Sequence, residues 1–287
     1  MRSHPITPPR GLRPGQRPLP LAARMLQALV AAAVAVAIAS GAAFASGEPP
    51  VPAVPPPSGT PVAILGPGID YRQPDLASRL ARDGEGDLVG WDFRDADNRP
   101  FAASDASPAV ASANPAGSTS ATHDATALAR AMLAANPDVS LIVIREKPGD
   151  AQAFGHMMSF AARTPVRILV WPDAHPARPD WPILLEAVNL FTGHLFILPA
   201  VSDAGASAAT ALRRLRAVAN VIFVPAPPGP AQSPESVSQQ GPEAGARLAR
   251  AAAAAARIMA GGEARPIAEI ALELRAELAT ADVSGAR

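Results

Sequence analysis

The sequence predicts an α/β protein: a three-layer, doubly wound fold around a mainly parallel sheet. Two observations carry the prediction. From residue 61 onward, short apolar runs alternate with helical stretches of about 10–15 residues, the pattern of successive β-α-β crossovers. The apolar runs are continuous instead of alternating with polar residues, as strands are when helices cover both sheet faces. With 287 residues, 48% of them hydrophobic, the chain can build one large core. Aromatics are only 4%, so that core is aliphatic and alanine-rich.

The elements follow in order. Residues 1–45 read as a targeting segment: five arginines lead into an apolar run from Ala28 to Ala39, followed by a small-x-small site at Ala43-Phe44-Ala45. A positive n-region, a 7–15-residue apolar core and such a site define a secretory signal peptide. Residues 25–45 also have the ~20-residue length of a membrane span, so a retained membrane anchor is the alternative. Residues 46–60 (SGEPPVPAVPPPSGT) are a Pro-rich linker, expected to be extended and disordered. Val62 to Leu65 is the first strand, ended by Gly66-Pro67-Gly68, and Leu88 to Phe93 the second. Residues 94–120 read as a long polar loop. Thr122 to Ala135 has Leu128, Met132 and Leu133 on one helical face and stops at Asn136-Pro137. Strands are then predicted at Val139–Ile144, Val166–Trp171, Leu195–Leu198 and Val221–Val224. Helices between them cover Ala151–Ala162, Pro182–Phe191 and Ala206–Ala217, and two more, Ala244–Ala260 and Pro266–Ala279, close the chain. Such folds place their sites beyond the C-terminal ends of the strands.

Charge and composition exclude several functions. The formal net charge is zero, but residues 1–45 hold Arg2, Arg10, Arg13, Arg17 and Arg24 and no acid. The remainder is therefore mildly acidic, the wrong sign for a nucleic-acid partner. With no Cys there are no disulfides, thiolate nucleophiles or Cys-based metal sites.

Seven segments, in order over residues 61–260, resemble the subtilases, the subtilisin-like serine proteases. VAILGPGIDYRQPDL (62–76) is similar to their V-A-V-I-D-T-G-I-D-x-x-H-P-D-L, and GWDFRDADNRP (90–100) to G-W-D-F-V-x-x-D-x-x-P. THDATALARAMLA (122–134) resembles the helix that opens H-G-T-x-V-A. RILVWPD (167–173) resembles V-I-N-M-S-W-G, and LFILPAVSDAG (195–205) resembles L-F-V-A-A-A-G-N-x-G. NVIFVPAP (220–227) is similar to N-V-I-x-V-A-A, and GPEAGARLARAAAA (241–254) to the helix that opens G-T-S-x-A-A-P. The resemblance implies a subtilisin-like domain over residues 61–287.

It also implies where catalytic residues belong, and most are missing. Such catalysis needs a Ser nucleophile, a His base, an Asp to orient the His and an Asn donor for the oxyanion. The Asp position is Gly66, the His position is His123, the Asn position is Ser202 or Asp203, and the Ser position is Glu243. Within the family, losing the nucleophile costs about 10⁶ in turnover and losing the Asp roughly 10⁴. Losing the oxyanion donor costs about 10²–10³. His123 is then the remnant of a triad, and the resemblance implies a pseudoprotease with a binding or structural role. The alternative is a serine endopeptidase with a rearranged active site, drawing on Asp70, Ser236 or Ser238.

The remaining candidates have plainer readings. His175, with Asp173 and Asp180, lacks regular metal-ligand spacing and reads as a solvated loop. Asp92, Asp95, Asp97, Asp105 and Asp124 form an acidic rim without a D-x-D-x-D-G calcium loop. Trp91, Trp171 and Trp181 read as packing residues, and the alanine run after Arg250 as a core helix. Gly66-Pro67-Gly68 does not open a helix directly, as a dinucleotide fingerprint would. No cofactor or metal is expected. The expected partner is a peptide or protein at the former cleft, and the expected location is secreted or periplasmic, or membrane-anchored through the N-terminal segment.

Overall fold

The computed structural model describes residues 49–102, 125–174, 181–200, 206–225, 234–261 and 265–285, all within one unit, Glu48–Arg287. The apolar runs form six strands: β1 (Thr60–Gly66), β2 (Trp91–Asp92), β3 (Val139–Arg145), β4 (Ile168–Val170), β5 (Leu195–Pro199) and β6 (Val221–Val224). They pair in the order β2-β3-β1-β4-β5-β6, every pair parallel. The helices among the described residues are α1 (Pro74–Ala77), α2 (Ala125–Ala135), α3 (Ala151–Arg163), α4 (Trp181–Leu190), α5 (Ala206–Arg216), α6 (Pro234–Ala260) and α7 (Ile267–Gly285). The predicted α/β class and parallel sheet are therefore observed.

Side-chain alternation along each strand divides the core in two. Val62, Ile64, Leu141, Val143, Ile168 and Ile197 face α2, α6 and α7. Ala63, Leu65, Ile142, Ile144, Leu169 and Phe196 face α3, α4 and α5. Continuous apolar strands thus result from helices on both faces. The helix seams follow from spacing: on α3, Ala153, Phe154, Met157, Met158 and Ala161 are buried on one side. Asp150 starts that helix by accepting the Ala153 amide at 3.0 Å, and this bond is the main cause that lowers its pKa.

One connection differs in hand from its neighbours. The units β3-α3-β4, β4-α4-β5 and β5-α5-β6 all advance in the same direction across the sheet, with their helices on one face. The unit β2-α2-β3 advances in that same direction, but α2 packs on the opposite face. Parallel crossovers are right-handed in about 98% of cases. A unit of opposite hand is therefore a specific topological mark.

Several expected boundaries move. The second strand is only Trp91–Asp92, because the chain before it turns back on itself: Val89 donates to the Ala81 carbonyl at 2.9 Å and Arg82 bridges Leu88. Gln73-Pro74 opens the short helix α1, proline being tolerated in a first turn. Helix α6 begins at Pro234, ten residues before the expected start, and runs through Gly241-Pro242. An interior proline removes one amide donor, and the rest of the ladder continues past it.

Residues 49–59 form neither helix nor strand but lie against the domain. The Tyr71 hydroxyl donates to Pro49 O at 2.9 Å, Arg82 Nη2 to Pro52 O, and Arg79 Nη2 to Ser58 O at 3.1 Å. Val51 packs onto the first core. A proline-rich chain satisfies none of its own carbonyls, and here neighbouring side chains supply the donors. Among the described residues, no helix is long and apolar enough to cross a membrane. Residues 1–45, with the expected signal or anchor, lie outside those described.

Candidate functional site

In an open parallel sheet, a crevice forms where neighbouring loops depart to opposite faces. That point is the C-terminal end of β1. The chain leaving β1 reaches α1, whose Leu76 lies in the first core. The flanking strands β3 and β4 lead to α3 and α4 on the other face. Gly66, the last residue of β1, sits buried at this point, and its carbonyl accepts the Glu146 amide at 2.8 Å.

A β-carbon on Gly66 would meet Ala125 Cβ and Pro172 Cγ, each at 4.0 Å, which is ordinary contact. Neither its backbone nor its neighbours therefore require glycine. Gly68 is the opposite case, with φ of +100° and Pro100 O only 2.7 Å from where a β-carbon would stand. This turn lets the Ile69 amide reach Pro100 O at 3.1 Å and joins the loop after β1 to the chain after β2.

The acidic groups here are held by ion pairs and amides. Asp70 is 3% exposed, and both its oxygens take Arg72: Oδ1 from Nε at 2.8 Å and Oδ2 from Nη2 at 2.7 Å. Arg72 lies over the Phe101 ring, 5.1 Å from its centroid, and its pKa is raised chiefly by the hydrogen bond to Asp70. The Asp70 amide donates to Thr126 Oγ1 at 3.0 Å, tying the loop to the start of α2. On the neighbouring strands, Asp92 is fully buried. It accepts the Arg94 and Asp95 amides at 2.7 and 3.0 Å and pairs with Arg145 at 2.6 Å. Arg145 also reaches Asp95 at 2.8 Å, and Asp97 accepts the Arg99 amide at 2.8 Å. The three described members of the acidic rim are thus anchors for turns and for an arginine, Asp92 buried and Asp95 exposed.

The other expected residues separate. His123, Asp124, Asp105, His175, Asp180, Ser202 and Asp203 lie outside the described residues. Glu243 is an exposed residue inside helix α6, and Ser236 and Ser238 fall on the same helix. His156 is exposed on α3. His194 precedes β5, at the opposite end of the strands from the crevice, and burial is the main cause that lowers its pKa. Trp171 and Trp181 are 2% and 4% exposed, as packing residues are, while Trp91 is half-buried. Among the described residues, no group of His, Cys, Asp or Glu is arranged to hold a metal ion.

Two residues of the crevice are not evident from motif matching. Glu146, 2% exposed, directly follows β3 beside Gly66, and Thr126 receives the Asp70 amide. The signal for Glu146 was a charged Arg-Glu-Lys run ending a buried apolar strand. A search of family models and of curated proteins matches nothing to this chain.

Proposed function

We propose that this chain is an exported subtilisin-like domain without proteolytic chemistry, whose former cleft serves a binding or structural role toward a peptide or protein partner. The observation that carries this reading is Gly66. It stands at the crevice, on a central strand, where a side chain has room, and yet contributes no carboxylate to orient a base. Glu243, on an exposed helical turn, offers no hydroxyl nucleophile. The N-terminal arginines and apolar run support export or anchoring.

The test uses the purified full-length chain. It is expected to leave casein and fluorogenic peptides uncut and to take no label from a serine-directed fluorophosphonate. Labelling or hydrolysis that disappears in His123→Ala would overturn the reading and establish a rearranged serine endopeptidase.

A further inference from the structure

The segment Pro49–Ser58 is bound to the domain in an unusual way. Six of its ten residues are proline, which have no amide to donate. Among the described residues, none of the segment takes part in a backbone–backbone hydrogen bond outside regular elements. In its described hydrogen bonds its carbonyls accept from side chains: Pro49 O from Tyr71, Pro52 O from Arg82 and Ser58 O from Arg79. Its packing is also incomplete. An open cavity of about 480 Å³ lies between Val51, Val54 and Pro55 on one side and Arg82 and Leu88 on the other. Few backbone bonds and loose packing put a segment at the low end of local stability.

Where the segment ends matters as much as how it is held. Ten extended residues span about 31 Å, against about 23 Å for a seven-residue strand such as β1. The segment therefore reaches from the start of β1 back to the crevice end of the sheet. There it meets Tyr71, which is fully buried, edge-on to Phe101 at 5.2 Å, and next in sequence to Asp70. Asp70 in turn binds Arg72 and, through its amide, Thr126. One connected set of contacts thus runs from Pro49 through Tyr71 to the crevice loop and the start of α2.

We propose that residues 49–58 act as a releasable strap that holds the loop Gly66–Arg72 closed against the crevice. Detachment of the strap, by tension from the N-terminal side or by capture of the proline segment, loosens that loop while the sheet stays folded. The strap stands on this geometry alone and is independent of whether the crevice descends from a protease.

Hydrogen exchange on the full-length chain, resolved by mass spectrometry, tests it. Tyr71→Phe keeps the ring and removes the hydroxyl. It is expected to speed exchange of the Ile69–Gln73 amides about threefold, the loss of one ordinary hydrogen bond. Val51→Asp detaches the apolar anchor and is expected to speed the same amides about tenfold. In both variants Leu195–Pro199 of β5 is expected to be unchanged, and Ala53→Asp, at an exposed strap position, is expected to change neither region. Unaltered exchange at 69–73 in Tyr71→Phe overturns the strap. So does equal acceleration of 69–73 and β5 in Val51→Asp, because the segment would then support the whole fold and not one loop.

Discussion

Gly66 and Gly68 are two residues apart and are glycine for different reasons. At Gly68, φ of +100° and a carbonyl 2.7 Å from the β-carbon position exclude any other side chain without strain. At Gly66 the nearest atoms stand at 4.0 Å and φ is not positive. Gly66→Ala is therefore expected to be neutral or to stabilise by up to about 1 kcal/mol, through lower entropy of the unfolded chain. Gly68→Ala is expected to destabilise by about 1–3 kcal/mol. Urea midpoints of the two variants check the contrast, and a Gly66→Ala loss as large as that of Gly68→Ala would show that Gly66 is structural. The sequence placed both glycines at the end of the first strand, because Gly-Pro-Gly stops a strand whatever its neighbours are. It could not say which of the two the backbone needs, since that depends on Pro100, Ala125 and Pro172, residues far along the chain.

Among the elements, the joints between helices and strands were the least visible in advance. Asn220, just before β6, is 4% exposed. Its amide nitrogen donates to Val188 O at 3.0 Å, Phe191 O at 3.3 Å and His194 O at 3.0 Å, joining the last turn of α4 to the turn before β5. Asn220→Ala takes the side-chain donor from three carbonyls, of which Phe191 O keeps the His194 amide, and is expected to cost about 1–3 kcal/mol in denaturant unfolding. A loss within 0.5 kcal/mol, the range of ordinary surface changes, would mean water replaces the amide. Nothing near Asn220 in sequence announces this role, because its partners are 26–32 positions away. Strand positions were legible for the converse reason: a run such as Leu-Ile-Val-Ile carries its burial in its own composition. Helix α6 was legible only from Ala244 on, where the apolar pattern begins, since Gly241-Pro242 mimics a helix stop.

At the scale of the molecule, helix α6 ties the first layer together. It touches β1, β4, β5, β6, α2 and α7. Ala251 through Ala256 are 0–3% exposed without a break. Six consecutive positions at 100° each pass more than once round the helix, so it is enclosed on every side. Alanine lets the sheet and two helices approach its axis together; Asn136 on the loop after α2, for example, reaches Ala253 O at 3.2 Å. The alanine run reads as a core helix from sequence, and the enclosing elements bury it on every side. Ala253→Leu is expected to overpack this joint and to cost about 1–3 kcal/mol or more. Ala260→Leu, on the exposed end of the same helix, is expected to stay within about 0.5 kcal/mol. The two unfolding midpoints, read side by side, separate packing from helix propensity, because both substitutions replace alanine with leucine in one helix. A small effect at Ala253 equal to that at Ala260 would show that α6 is free to shift outward and is not the post on which the layer is built.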